Sequence, residues 1–117
     1  MKWFACFLLS VVALTGCSPL RPMKIAVLGP GGTPFRGSYT ADGIYQSYTG
    51  VMPATIEFEA RDLDWRIERQ AGTDPFRVES YVGEIRCTST QSSNHRGIRG
   101  ALETGGNREK YWAETFD

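Results

Sequence analysis

Thr55-Ile56-Glu57-Phe58-Glu59-Ala60, followed after Arg61-Asp62 by Leu63-Asp64-Trp65-Arg66-Ile67-Glu68, places an apolar residue at every second position in two consecutive runs. A period of two belongs to an extended chain whose successive side chains point to opposite faces. Each run therefore reads as a strand with one buried and one wetted side. Beyond the break at Gly72-Thr73-Asp74-Pro75 the pattern resumes, with Phe76, Val78, Ser80 and Val82 alternating with Arg77, Glu79 and Tyr81. Upstream, Lys24 to Leu28 reads as a first strand, and Ile44 to Tyr48 as another closed by a turn at Thr49-Gly50. Downstream, Gly83-Glu84 turns into a strand from Ile85 to Thr90, and the polar run Gln91 to Arg96 is a loop. Gly97 to Leu102 and Lys110 to Phe116 supply two last strands around Glu103 to Glu109. Helical periodicity is missing from this region, so the expected fold class is all-β: a small antiparallel β-sandwich or barrel.

Finer expectations follow from the same alternation. If the Leu63 to Glu68 and Phe76 to Val82 strands pair, wetted faces must stay together, and the best register sets Glu68 against Arg77, Arg66 against Glu79 and Ile67 against Val78. Trp65 then faces inward. Cys87 lies two residues from Ile85 and is expected to be buried with it. Tyr111 and Trp112 are adjacent and must point to opposite faces; the expectation is Trp112 and Phe116 in the core and Tyr111 outside.

The N-terminus has a different character. Met1-Lys2 is a short charged start, and Trp3 to Leu14 is apolar with only Ser10 interrupting. This run covers about 18 Å as a helix, too short for a hydrocarbon core about 30 Å thick, and fits the apolar region of a secretory signal. It ends in Leu14-Thr15-Gly16-Cys17, which resembles the lipobox of bacterial lipoprotein precursors at all four positions. The resemblance implies lipidation of the Cys17 thiol by a diacylglyceryl group, cleavage between Gly16 and Cys17, and acylation, for example by palmitate, of the new amino group. Two or more chains make a stable anchor, so membrane lipid attached through Cys17 is the first expected partner. Ser18, as a residue other than Asp after the lipid-bearing cysteine, resembles an outer-membrane address of the enterobacterial kind. The expected organisation is a signal peptide over 1–16, a lipidated cysteine and flexible tether over 17–36, and a single β domain over 37–117. The expected location is the cell membrane or outer membrane, facing the periplasm in a Gram-negative envelope.

Removing the leader leaves about 100 residues, enough for one small domain. The 13 basic and 13 acidic residues balance, and the bases, mostly Arg, are interspersed with the acids. That distribution argues against nucleic acid as a partner. Cys6 leaves with the leader and Cys17 is spoken for, so Cys87 is the one free thiol of the mature chain and no internal disulfide is expected. Gly29-Pro30-Gly31-Gly32-Thr33-Pro34 has Pro34 where the dinucleotide fingerprint needs its last glycine, and it lacks the Gly-Lys-Ser/Thr of a phosphate loop. It reads as a turn or spacer, and no small-molecule cofactor is expected. His95 is the only histidine, which disfavours multi-histidine metal sites. Asp62 and Asp64, with Glu57 or Glu59 nearby, offer oxygen ligands without the spacing of a calcium loop, and read instead as a solvated acidic edge facing Arg61 and Arg66.

Phe76 to Cys87, a strand, a glycine turn and a strand reaching cysteine, is similar to part of the β-sandwich domain in small accessory proteins of lipid exporters. That family's second domain cysteine has no counterpart here. The functional expectation is a non-catalytic binding or scaffolding module that engages another envelope protein, with Tyr111, Arg108, His95 and Arg96 as its contact surface. Two alternatives are an inhibitor or immunity-type lipoprotein that blocks a wall-degrading enzyme through the 91–97 or 103–110 loop, and a small hydrolase built on Ser92, Ser93 and His95.

Overall fold

The alternation is realised as strands throughout. A computed structural model of the chain describes residues 20–105 and 109–117. The expected signal peptide over 1–16, with Gly16, and also Cys17 and Arg108 lie outside the described residues. The strands are β1 (Arg21–Leu28), β2 (Pro34–Ala41), β3 (Ile44–Val51), β4 (Ala54–Ala60), β5 (Asp62–Arg69), β6 (Phe76–Val82), β7 (Ile85–Ser92), β8 (Gly97–Glu103) and β9 (Lys110–Phe116). They form a four-stranded sheet in the order β4-β1-β6-β7 and a five-stranded sheet in the order β3-β2-β5-β8-β9. Every described pairing is antiparallel, and the two sheets pack face to face as a β-sandwich.

The core lies between the sheets and is built from the inward residues of each alternating run. Met23, Ile25 and Val27 of β1 with Val78 and Val82 of β6 meet Phe35 and Tyr39 of β2, Leu63, Trp65 and Ile67 of β5, and Ile98 and Leu102 of β8. Burying each of the larger side chains contributes about 1.5–3 kcal/mol. Ser80, fully buried on β6, is satisfied by the Thr88 hydroxyl across the strand pair. Ile56 and Phe58 are only half-buried because β4 is an edge strand. Among the described residues no helix is long and apolar enough to cross a membrane.

Several expectations are corrected. The β5–β6 register fails because these strands lie in different sheets: β5 pairs with β2 and β8, and β6 with β1 and β7. Residues 70–75 cross from one layer to the other, so Glu68 finds Arg96 (2.7 Å) and Arg77 lies 3.5 Å from Glu79 of its own strand. Trp65 does face inward. The tether expected over 17–36 includes two strands, since β1 starts at Arg21 and is held between β4 and β6, and Pro34 opens β2. The turn expected at Thr49-Gly50 falls at Met52-Pro53, a cis peptide bond. Gly50 stays in β3, where its missing side chain leaves room for the Tyr48 ring. Cys87 is half-buried, while Ile85 is 68% exposed. Ile85 opposes the buried Val82 and Cys87 packs against the core, so both are on the inward side, with Ile85 exposed at the start of the strand. Ser80 opposes Thr88 and Tyr81 opposes Arg86, so Cys87 is the extra residue of a β-bulge, and beyond it the inward positions move to Thr88, Thr90 and Ser92. Burial raises the pKa of its thiol.

Candidate functional site

The outer face of the five-stranded sheet has rows of side chains fixed by cross-strand pairing. Residues directly opposed on antiparallel strands share a face. One row reads Tyr45, Thr40, Asp64, Ala101, Trp112; the next reads Ser47, Ser38, Arg66, Arg99, Glu114; a third reads Thr49, Arg36, Glu68, Gly97, Phe116. Tyr45 and Trp112 thus stand at the two ends of one row, separated by four inter-strand steps or about 19 Å. Trp112 is 39% exposed and Tyr45 66%. The Tyr45 hydroxyl leans back over β2 and donates to Ser38 Oγ at 3.4 Å. A shallow depression of about 250 Å³ lies between them; Ser38, Thr40, Asp64, Arg66, Arg99 and Trp112 are among the residues that line it.

Two cations of this face, Arg66 and Arg99, are held in place. Arg66 and Arg99 are directly opposed on β5 and β8, a like-charge pair that costs stability unless each cation finds other company. Arg99 does so through Glu114, with Nη2 and Nε at 2.6 and 2.7 Å from the same carboxylate oxygen. Arg66 stacks its guanidinium over the Phe116 ring at 4.1 Å, an attraction to the negative face of the π system. Phe116 in turn packs against Gly97, where a Cβ would strike the ring and the Ile67 carbonyl oxygen. Thus Gly97 seats Phe116, Phe116 seats Arg66, and Arg66 walls the depression.

On the opposite side of the molecule, Glu79 is 7% exposed on the outer face of the four-stranded sheet. Its Oε1 accepts from the Tyr81 hydroxyl at 2.7 Å, and its Oε2 lies 3.4 Å from both Arg86 Nη1 and Ser89 Oγ. These donors, Tyr81 first, hold the carboxyl below the usual carboxylate range against the opposing effect of burial. A folded-state pKa below the unfolded value of about 4.3 gives stability that is present above that value and lost as pH falls through the folded one. Urea titrations from pH 6 to pH 3 are expected to show a falling midpoint, and Glu79→Gln to reduce that fall. An unchanged acid dependence in the variant would remove Glu79 from the account.

Of the residues expected to form one contact surface, His95 and Arg96 lie together and Tyr111 lies apart from them. Tyr111 faces inward, half-buried, and its hydroxyl donates to Glu109, which also pairs with Arg21 at 2.8 Å. The Tyr111 hydrogen bond, then Arg21, lowers the Glu109 pKa. His95 and Arg96 precede β8, whereas Tyr111 lies opposite Leu102 near the other end of that strand, about 20 Å away at strand rise. His95 Nδ1 is 2.9 Å from Asp117 Oδ1, and Arg96 pairs with Glu68. Arg108 lies outside the described residues. The outward member of the adjacent pair is Trp112, the reverse of the expectation. Lys110 and Glu114, two positions to either side, already marked its face as the charged one.

Two residues of the hydrolase alternative, Ser92 and His95, are engaged with other groups. Ser92 is fully buried and donates to the His95 carbonyl oxygen at 3.1 Å, while the imidazole pairs with Asp117. Asp62 and Asp64 sit on β5 and Glu57 and Glu59 on β4, in different sheets. Among the described residues no cluster of three or more His, Cys, Asp or Glu is placed to hold a metal ion. Comparison of the chain with protein-family models, with curated proteins and with solved structures finds no match to any of them.

Proposed function

We propose that this protein is a lipid-anchored module of the bacterial cell envelope that works by binding, without catalysis, and that its ligand is a glycan held on the outer face of the five-stranded sheet. The anchor rests on the lipobox resemblance, which makes Cys17 the lipid-bearing residue at the periplasmic face of its membrane. The observation that carries the binding role is the exposed Trp112 beside a depression of hydroxyls and fixed charges. A sugar presents an apolar C–H face and a rim of hydroxyls. The indole offers a flat apolar plate for the first, and Asp64, Arg66, Arg99, Ser38 and Thr40 offer acceptors and donors for the second. The shallow shape suits a chain lying across the strands better than a small molecule enclosed in a pocket. Tyr45, at the far end of the row, supplies a second plate for such a chain.

The test uses the full chain in bacterial cells. Wild-type protein extracted from membranes is expected to begin at Cys17 and carry acyl mass, and Cys17→Ala to lose both. Co-sedimentation with purified cell-wall glycan and envelope polysaccharide is expected for wild type and at least tenfold weaker for Trp112→Ala, with unchanged circular dichroism. An unacylated wild type would overturn the anchor. Binding to none of the glycans, or binding indifferent to Trp112→Ala, would overturn the ligand assignment.

A further inference from the structure

Edge strands offer unpaired amides and carbonyls, and proteins guard them with charges, prolines or bulges. Here β4 carries Glu57 and Glu59, β7 carries Arg86 and the Cys87 bulge, and β9 carries Lys110 and Glu114. The fourth edge, β3, reads Ile-Tyr-Gln-Ser-Tyr-Thr-Gly-Val and has none of these guards over its eight residues. Ile44, Tyr45, Tyr48 and Val51 are all exposed on it.

The free groups of β3 can be assigned. The β2–β3 hairpin closes through Asp42-Gly43, with φ of 50° and 85°, the two positive values of a type I′ turn. In such a hairpin the flanking pair Ala41 and Ile44 is hydrogen-bonded, and bonded pairs recur at every second residue. Ile44, Gln46, Tyr48 and Gly50 therefore bond to β2. Met52, next in this series, confirms the phase, since its N–H donates to the Thr33 carbonyl at 2.9 Å and its carbonyl accepts from Gly32 N–H at 2.9 Å. The amides and carbonyls of Tyr45, Ser47, Thr49 and Val51 are thus aimed out of the sheet.

We propose that β3 pairs antiparallel with β3 of a second copy of this chain, joining two five-stranded sheets into one of ten strands. The four outward residues are their own complement under a two-fold axis. Tyr45 opposes Val51 of the second copy and Ser47 opposes Thr49, so each outward amide and carbonyl finds a partner. Tyr48 meets its own copy at the axis. The uncharged sequence brings no like charges together, and Val51 of each copy stands opposite Tyr45 of the other on the outer face, where the Tyr45 ring leans back over β2 and stays open. Shifting the register to centre on Ser47 would leave Val51 against the Asp42-Gly43 turn. The axis runs along the sheet normal, which places the two β1 starts at opposite ends of the dimer but both in the layer of the four-stranded sheets. Where the lipid reading holds, two anchors on one bilayer keep that layer toward the membrane and turn both Trp112 faces away from it.

Tyr48 occupies a non-hydrogen-bonded pair of the proposed ladder, where Cα atoms approach to about 4.5 Å, inside disulfide range. In full-length chain carrying Cys87→Ser, Tyr48→Cys is expected to give a disulfide dimer on mild oxidation of intact cells. The Cys87→Ser parent sets the background, so thiols elsewhere in the chain do not confuse the reading. Ser47→Pro removes an outward amide and no bond to β2, and is expected to cut the crosslink at least tenfold while leaving the urea midpoint of the chain in place. Sedimentation of the unaltered full chain in detergent is expected to show a concentration-dependent monomer–dimer equilibrium, a readout independent of any variant. Crosslinking no greater than the parent's, or indifferent to Ser47→Pro, or a monomer at every concentration, would overturn the proposal. None of these outcomes depends on acylation or glycan binding.

Discussion

Trp65→Ala is expected to lower the unfolding free energy by about 3–5 kcal/mol, a large part of the roughly 5–15 kcal/mol available to a domain of this size. The indole sits at the middle of β5 with its neighbours Leu63 and Ile67 on the same inward face, and it lies against Gly100 of β8. Removing it leaves a void in a close-packed interior bounded by two sheets whose ladders resist collapse. Trp65→Phe separates packing from polarity. The buried indole N–H makes no hydrogen bond, so phenylalanine removes an unsatisfied donor while keeping most of the apolar area. Its cost is expected to be less than half that of alanine. Urea unfolding followed by circular dichroism measures both; an alanine variant losing less than 1 kcal/mol would show that the sheets close over the gap.

Gly100→Ala is expected to cost about 1–3 kcal/mol although it adds a single methyl group. A Cβ at this position would collide with the main-chain carbonyl oxygen of Trp112 and come within 2.6 Å of Trp65 Cζ2. A flexible side chain can swing aside, but the Trp112 oxygen belongs to a strand of the sheet. Relief requires β9 to move off β8, and β9 carries Trp112. The same substitution is therefore expected to weaken glycan retention together with stability, whereas Trp112→Ala affects retention alone. Equilibrium unfolding and glycan co-sedimentation on both variants distinguish the two patterns. Full stability in Gly100→Ala would mean that the strand pair yields more readily than its geometry implies.

These sensitivities bear on what could be read from the sequence. Faces were legible: Leu63, Trp65 and Ile67 point inward as their alternation requires, and the turn at Gly83-Glu84 and the break at Gly72 to Pro75 fall where glycine and proline put them. Neighbours were not. Charge complementarity between β5 and β6 is worth about 0.2–1 kcal/mol per pair, too little to dictate which sheet a strand joins. Arg66 met that need through Phe116 and Glu68 through Arg96, residues far away in the chain. The Cys87 bulge was hidden because one inserted residue leaves the composition of a strand unchanged while reversing its faces beyond that point. At the candidate site, Trp112 was assigned to the core on size. Yet Lys110 and Glu114 share its face, and in an edge strand the charged positions were the better guide. Tyr45 was legible as an aromatic, but its place in one row with Trp112 depends on three intervening strands and on pairings that no local pattern contains.

The placement of the first and last strands has a mechanical side. β1 begins at Arg21, beside the Gly83 turn, whose N–H donates to Pro22, while β9 finishes at Phe116, whose carbonyl accepts from Arg96 at the opposite end of the sandwich. Tension applied between these points runs lengthwise along both strands, at right angles to the ladder hydrogen bonds. The bonds that β1 makes to β4 and β6 then share the load and must give way together rather than unzip one by one. A domain held by one end and pulled by the other resists as a lap joint does, in shear, along its strongest direction.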